Sequence, residues 1–171
     1  ANAQTAITVL RTLYIEETAI HKGIAQTVWL GRMTKVAEHP YIYVDGAHNV
    51  AAWEYLRTSV EKYFTNRRVI YIIGVLKDKE YEKMVEILAP TMAAAVVITP
   101  DTPRGLPKEI LAPLIQAQGV PVQLADTSAE ALQKAREQAG ETGVILVSGS
   151  LSFLAEYLQL ESGDENNGAS R

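Results

Sequence analysis

Four short polar segments of the sequence carry side chains that can bind anions or exchange protons. They are Asp45-Gly46-Ala47-His48-Asn49, Gly74-Val75-Leu76-Lys77-Asp78, residues 99–104 and Ser148-Gly149-Ser150. Each segment follows an apolar run of the kind that forms a buried strand. In an open sheet of parallel strands, ligands bind outside the carboxyl ends of the strands. The sequence therefore predicts a ligand site along one edge of a sheet.

The segment 45–49 places a carboxylate and an imidazole three residues apart, at the expected start of a helix. Free backbone N–H groups at a helix N-terminus favour an anion, so a phosphate beside His48 is one interpretation. A structural interpretation is also open. In that case Asp45 holds a turn, Asn49 caps the helix and His48 is an ordinary surface residue.

The segments at 74–78 and 148–150 have the same two kinds of interpretation. Lys77 and Asp78 either line a cleft or belong to a solvated helix start. Gly149 either forms a plain strand-to-helix turn or lets the backbone approach a ligand, to which Ser148 and Ser150 would donate hydrogen bonds. Residue type alone leaves both interpretations open.

Several familiar sites are absent from the sequence. It contains no G-x-x-x-x-G-K-[ST], and no G-x-G-x-x-G follows the first strand, so it is not expected to cradle a triphosphate or a dinucleotide in the usual way. His21, His39 and His48 lack the spacing of zinc ligands, and no metal site is expected. Ser150 lacks the G-x-S-x-G elbow, which disfavours a serine hydrolase.

Apolar runs rich in valine and isoleucine alternate with helical patterns through the middle of the sequence. The runs cover residues 41–44, 69–73, 95–99, 120–124 and 144–147. Their lack of strict polar alternation is typical of strands covered on both faces. Between the first two runs, apolar residues from Trp53 to Phe64 form one helical stripe. The predicted fold is α/β, a Rossmann-like, doubly wound and mostly parallel sheet with helices on both faces.

Capping signals predict where the helices begin and end. Asn49, Asp78 and Thr127 are candidate N-caps. Glu130, three residues after Thr127, completes a capping box. Gly119 lies where the third helix of the alternating region would stop.

The two ends of the sequence differ from its middle. Apolar residues near the start predict one helix that stops at Gly23. Segment 27–38 alternates and predicts an additional, antiparallel edge strand. Residues 161–171 are small or polar and predict a disordered tail. We therefore expect a terminal helix and linker in 1–25 and one domain in 26–160.

The composition narrows the class of protein. The 171 residues include 47% hydrophobic side chains, enough for one domain that needs no disulfides to support its core. The absence of cysteine fits a reducing compartment, and a cytoplasmic protein is expected. A net charge of -4 without a basic cluster disfavours nucleic acid as a partner. No apolar run approaches the roughly 20 residues of a membrane span.

Four motifs, taken in order, carry a resemblance to a known family. They are Trp29-Leu30-Gly31-Arg32, Asp45-Gly46-Ala47-His48-Asn49, Gly74-Val75-Leu76-Lys77-Asp78-Lys79 and Ser148-Gly149-Ser150-Leu151. Together they resemble the C-terminal domain of folylpolyglutamate synthase/dihydrofolate synthase, in the Mur ligase superfamily. The resemblance spans about residues 26–159, and four motifs in register are more specific than any one alone.

The resemblance implies a chemistry and a division of labour. A central P-loop domain, expected to precede this chain in the full enzyme, would bind most of the ATP and magnesium and convert the carboxylate of folate or dihydropteroate into an acyl phosphate. The amino group of L-glutamate then attacks. The C-terminal domain makes an intramolecular contact with the P-loop domain and closes over the site. The isolated chain is expected to be inactive.

The same resemblance implies roles for individual residues. Arg32 would contact ATP phosphate, for which the forked guanidinium is suited, and Asp45 would approach the ribose. His48 is the candidate catalytic residue and, with Ser150, faces the incoming glutamate. The remaining candidates would line the cleft: Asn49, Lys77, Asp78 and Ser148.

The sequence departs from the family pattern at a few positions. Leu30 stands where the family usually has proline, Val50 replaces another proline, and Ser152 replaces a tyrosine. The site residues themselves are retained. Two alternatives stay open: a domain of another Mur-type amino-acid ligase, and a stand-alone α/β module that binds a small acidic metabolite.

Overall fold

The computed structural model describes residues 2–27, 31–150 and 154–157, and the chain divides into two compact units, Ala1–Leu30 and Gly31–Arg171. Among the described residues, no helix combines the length and the apolar character needed to cross a bilayer.

The first unit contains two helices, α1 (Asn2–Thr12) and α2 (Glu17–Gln26). The prediction of one helix that stops at Gly23 is therefore wrong, since Gly23 lies inside α2. The break occurs at Tyr14, whose φ of 56° lies in the left-handed region. Apolar periodicity continues across this turn, and a tyrosine at positive φ has no glycine signal to reveal it.

The second unit alternates strands and helices around one six-stranded sheet. Its described elements are β1 (Thr34–Glu38), β2 (Tyr41–Asp45), α3 (Val50–Tyr63), β3 (Val69–Ile73), α4 (Tyr81–Leu88), β4 (Ala94–Ile98), α5 (Lys108–Ala117), β5 (Val122–Ala125), α6 (Ser128–Ala139) and β6 (Val144–Ser148). The strand order is β1-β2-β6-β3-β4-β5, and only the β1–β2 pair is antiparallel. The predicted doubly wound, mostly parallel sheet with an antiparallel edge strand is confirmed.

Both faces of the sheet are covered, which explains the continuous apolar runs. Side chains such as Tyr71 and Leu146 pack with α3, α4 and α5 on one face. Their neighbours Ile70 and Ile145 pack with α6 on the other face. Strands buried on both sides tolerate no polar alternation, and valine and isoleucine suit such positions. The two apolar layers hold the strand ends in fixed relative positions.

The capping predictions have different outcomes. The Asn49 side chain accepts a hydrogen bond from the Ala52 N–H at 2.9 Å, and Thr127 accepts one from the Glu130 N–H at 3.1 Å, so both N-caps are confirmed. The prediction for Asp78 is wrong. Glu80 occupies the N-cap position of α4, and Asp78 instead pairs with Arg104.

The predicted edge strand begins later than its alternating pattern indicates. Strand β1 starts at Thr34 because Gly31 and Met33 have positive φ angles, 78° and 45°, and form a turn ahead of it. Residues 28–30 lie outside the described residues. Residues 154–157 are described and are helical, whereas 151–153 and 158–171, which include the predicted tail, lie outside the described residues.

Strand β6 lies between β2 and β3, although it is the last of the described strands along the chain. The chain leaves β2 and β3 toward α3 and α4 on one face, whereas beyond β6 Leu154 and Tyr157 pack on the other face. Neighbouring strands whose connections leave in opposite directions open a crevice at their carboxyl ends. Asp45 and Ser148, the last residues of β2 and β6, are register partners at this edge.

Candidate functional site

Asp45 connects the end of β2 to the turn that carries Arg32. One carboxylate oxygen accepts the Ala47 N–H and the other accepts the Met33 N–H, both at 2.9 Å. The Gly46 N–H donates to the Gly31 carbonyl at 2.7 Å, so the peptide segment around Arg32 is held from both sides. The Arg32 side chain is exposed and available to a ligand. These are also the contacts that the structural interpretation of Asp45 required.

The Asp45 carboxyl group is 6% exposed, and burial raises its pKa above the ordinary value. The hydrogen bonds from the backbone of Met33 and Ala47, and the positive charge of Arg32, oppose this shift without cancelling it. Desolvation disfavours the charged form of a carboxyl group, whereas donated hydrogen bonds favour it. A ligand that approaches this edge therefore meets a carboxyl group that is less acidic than a surface aspartate.

His48 follows this turn, and its ring has a defined hydrogen bond. The Nδ1 atom lies 2.7 Å from the Gly46 carbonyl oxygen. A carbonyl can only accept, so we assign the ring hydrogen to Nδ1. In the neutral ring Nε2 then carries the lone pair and can take a proton. The side chain is half-buried, beside the exposed Asn49 that caps α3.

The loops after β2 and β6 meet at the Ala47 carbonyl oxygen. This oxygen accepts three hydrogen bonds: from Trp53 Nε1 at 3.0 Å, from the Gly149 N–H at 3.2 Å and from Ser148 Oγ at 3.3 Å. We call Ala47, Trp53, Ser148 and Gly149 the Ala47 junction. Ser148 is fully buried, and Ser150, directly after Gly149, is 2% exposed.

Gly149 also brings the β3–α4 loop against this junction. Its φ is 123°, and a Cβ atom added to it would lie 2.4 Å from the Gly74 carbonyl oxygen and 3.0 Å from Val75 Cγ1. Cβ atoms do not approach backbone oxygens that closely, so only glycine fits here. The loops after β2, β6 and β3 consequently converge at one point, as the positions of their motifs predicted.

The β3–α4 loop is held in place by Arg104, which lies in the β4–α5 connection. The Arg104 guanidinium forms a two-point ion pair with Asp78, with Nη2–Oδ2 at 2.6 Å and Nε–Oδ1 at 3.2 Å. The Lys77 N–H donates to the Arg104 carbonyl at 2.9 Å. The Arg104 guanidinium lowers the pKa of the Asp78 carboxyl group. The Asp78 carboxylate is therefore paired within the fold, where it holds the β3–α4 loop. The Lys77 side chain on the same loop is exposed.

The structure thus brings most of the predicted site residues together at the carboxyl ends of β2, β3 and β6. Sequence reasoning missed Trp53, whose indole N–H is polar but whose position belongs to an apolar stripe. It also missed the brace formed by Arg104, because its partner Asp78 lies 26 residues away in the sequence. The two prolines in 99–104, followed by Gly105, were the available signal for a closely packed loop.

Two cavities lie away from these side chains. One of about 470 Å³ opens beyond the carboxyl ends of β4 and β5, next to Thr99 and Ser128. Another of about 590 Å³ lies at the opposite edge of the sheet, next to Tyr41 and Arg67. The first is lined in part by residues 99–102 of the predicted polar segment 99–104, and neither is lined by a residue of the other three polar segments. Within the described ranges, no cluster of three histidine or carboxylate side chains could hold a metal ion.

Comparison with known proteins places the chain in a family. The family described as Mur ligase, glutamate ligase domain, matches residues 31–151. The dihydrofolate synthase/folylpolyglutamate synthase of Escherichia coli (strain K12) is 32% identical over 161 residues, which are 93% of this chain and 37% of that protein. The protein of the same name from Bacillus subtilis (strain 168) is 28% identical over 144 residues, 84% of this chain and 33% of its own length.

A solved structure shows the same fold. The structure of E. coli FolC in complex with DHPP and ADP superposes with a TM-score of 0.88 at 30% identity, over 96% of this chain and 39% of that one. The chain spans about a third of the length of these two curated relatives. Its six-stranded sheet and its motif loops have the form expected of their C-terminal domain. The chain belongs to the Mur ligase, glutamate ligase domain family.

Proposed function

We propose that this chain serves as the C-terminal domain of an ATP-dependent ligase that adds L-glutamate to folate or dihydropteroate through an acyl phosphate. The observation that carries the proposal is the Ala47 junction. It joins the loop of Asp45 and His48 to the loop of Ser150 at the switch point of the sheet. The names of the relatives supply the substrate class, and one of them is described in complex with ADP.

Arg32 and Asp45 form the nucleotide side of the proposed site. The exposed guanidinium of Arg32 offers a fixed fork of donors to phosphate oxygens. The turn that carries it is tied to Asp45 and Gly46, so the guanidinium is presented on a restrained backbone. Phosphoryl transfer depends mainly on positioning and on charge stabilisation, to which one correctly placed arginine can contribute.

His48 and Ser150 form the glutamate side. The glutamate ammonium must lose a proton before its nitrogen can attack, and the lone pair on His48 Nε2 can accept that proton. The new N–C bond forms as the acyl C–O bond breaks, inorganic phosphate leaves with the bonding electron pair, and the departing phosphate takes the second proton that the nitrogen must lose. The fixed Nδ1 hydrogen bond keeps the accepting nitrogen directed away from the protein backbone.

Magnesium would neutralise phosphate charge in the bound nucleotide. The described residues offer no cluster to hold this ion, so we assign its binding mainly to a P-loop domain that contacts this chain within the full enzyme. Closure of the two domains would exclude water from the acyl phosphate, which otherwise hydrolyses. We also place the reaction in the cytoplasm, because it consumes ATP and because a sequence without cysteine fits a reducing compartment.

The proposal is tested in the full-length protein that carries this chain, whose reading frame should encode a G-x-x-x-x-G-K-[ST] segment upstream. Ligation of radiolabelled glutamate to folate or dihydropteroate is measured for the wild type, Arg32→Ala and Arg67→Ala. Arg32→Ala should lower kcat/KM by about a hundredfold or more, as for other groups that stabilise transition-state charge. Arg67, at the opposite edge of the sheet, is the matched control and should remain active.

Full activity of Arg32→Ala would reject the nucleotide role of this arginine. A reading frame without a P-loop segment, together with no ligation by the wild type, would reject the ligase and favour a stand-alone binding module. The chain by itself should bind ATP weakly in calorimetry, because one arginine and one aspartate without a phosphate cradle provide few contacts.

A further inference from the structure

The Ala47 carbonyl oxygen has an unusual set of donors. A carbonyl oxygen has two lone pairs, yet this one accepts from three groups that belong to α3 and to the end of β6. Trp53 supplies the shortest of the three bonds, at 3.0 Å, and is fully buried. Its indole ring packs in the apolar layer under the site, so it cannot touch a substrate.

The two loops that meet here carry the proposed glutamate-binding residues. Ala47 directly precedes His48, and Gly149 directly precedes Ser150. The hydrogen bond from the Gly149 N–H to the Ala47 oxygen therefore links the two backbones one residue away from each side chain. Whatever fixes the orientation of the Ala47 peptide also fixes the separation of His48 and Ser150.

We infer that Trp53 is a positioning residue for glutamate binding. Its indole N–H holds the Ala47 carbonyl in the orientation that accepts the Gly149 N–H, and so sets the relative placement of His48 and Ser150. This inference rests on the proposed function. It assigns a role in the reaction to a residue that is enclosed in the core and has no access to ligand.

The test replaces Trp53 in the full-length enzyme and compares it with a matched core variant. Trp53→Phe keeps an aromatic ring in the core but cannot donate to Ala47. Tyr71→Phe removes a hydrogen bond of 2.6 Å to Thr91 in the same apolar layer, and neither Tyr71 nor Thr91 donates to the Ala47 carbonyl. Both variants lose one partly or fully buried hydrogen bond, and Trp53→Phe also leaves a cavity, so Trp53→Phe should lose more stability than Tyr71→Phe.

Kinetics should separate the two variants. Trp53→Phe should raise the KM for glutamate about fivefold, the factor expected for one lost hydrogen bond, while the KM for ATP stays unchanged. Tyr71→Phe should change neither constant. The inference is overturned if Trp53→Phe leaves the KM for glutamate unchanged, if it raises both KM values equally, or if Tyr71→Phe has the same effect.

A second measurement keeps the inference testable if the wild type shows no ligation, a result that would count against the proposed function alone. Amide hydrogen exchange at Gly149 reports the junction directly. Exchange should be about fivefold faster in Trp53→Phe and unchanged in Tyr71→Phe. Equal exchange at Gly149 in the wild type and Trp53→Phe would show that the indole does not hold the two loops together.

Discussion

Replacement of Gly149 by alanine should destabilise the fold more than replacement of Gly119, a glycine with positive φ and open space around it. The residue has a φ of 123°, and a Cβ atom there would lie 2.4 Å from the Gly74 carbonyl oxygen. Two costs combine, one conformational and one steric. The loops after β3 and β6 would have to separate to admit a methyl group.

The magnitude can be worked from these two costs. A non-glycine residue held in a sparsely populated backbone region costs about 1–3 kcal/mol. Forcing an additional carbon into a packed position costs a further 1–3 kcal/mol, roughly. We expect the free energy of unfolding of Gly149→Ala to fall by about 4 kcal/mol, the middle of the combined range.

The assay is equilibrium unfolding in urea with linear extrapolation, and Gly119→Ala is its control. Gly119 has a φ of 81°, but no atom lies within 4 Å of an added Cβ. The control therefore has the conformational cost without the steric one, and should lose only about 1–2 kcal/mol.

Equal losses in the two variants would refute the argument, because the close approach of Gly149 to Gly74 would then contribute nothing. A Gly149→Ala variant as stable as the wild type would also show that the three loops do not converge as described.

Further predictions concern the helix caps and the two aspartates. Asn49→Ala and Thr127→Ala should each lower the free energy of unfolding in urea by about 1 kcal/mol, since each removes a side-chain cap. Because the pKa of Asp45 is raised in the folded state, its contribution to stability is present below its unfolded pKa and is lost as pH rises through the folded value. Carbon-13 NMR of the carboxyl groups should show Asp45 titrating above the ordinary range, and ordinary titration would contradict its burial. Asp78 should titrate below that range and contribute stability that is lost as pH falls through its lowered value; Arg104→Gln should return its titration to the ordinary range.

Much of this fold could be predicted because its signals are local. The strand Val69–Ile73 is buried on both faces, and its apolar run has the same bounds as the strand. The caps at Asn49 and Thr127 depend on residues within three positions, and sequence patterns report such neighbours well. The edge at which the polar segments meet follows from the direction shared by parallel strands.

The remaining features depend on contacts that sequence patterns do not encode. Asp78 is a plausible cap by spacing, but an arginine from a distant loop offers it a two-point ion pair instead. Trp53 fits an apolar stripe, so periodicity hides its single polar atom. Tyr14, between α1 and α2, has a left-handed conformation that tyrosine rarely adopts.

Because β6 lies in the centre of the sheet, the proposed site can form only after β6 has been synthesised. The hydrogen bond from Ser148 to Ala47 closes a separation of 101 residues, and contacts of such range form slowly because the intervening chain must first be ordered. Until β6 is inserted, β2 and β3 lack the strand that lies between them and expose unpaired edges. A ribosome-bound chain that ends before β6 would hold the Asp45 and His48 motif without its partner loop. Ligand competence would therefore appear in a single step, when β6 enters the sheet between β2 and β3.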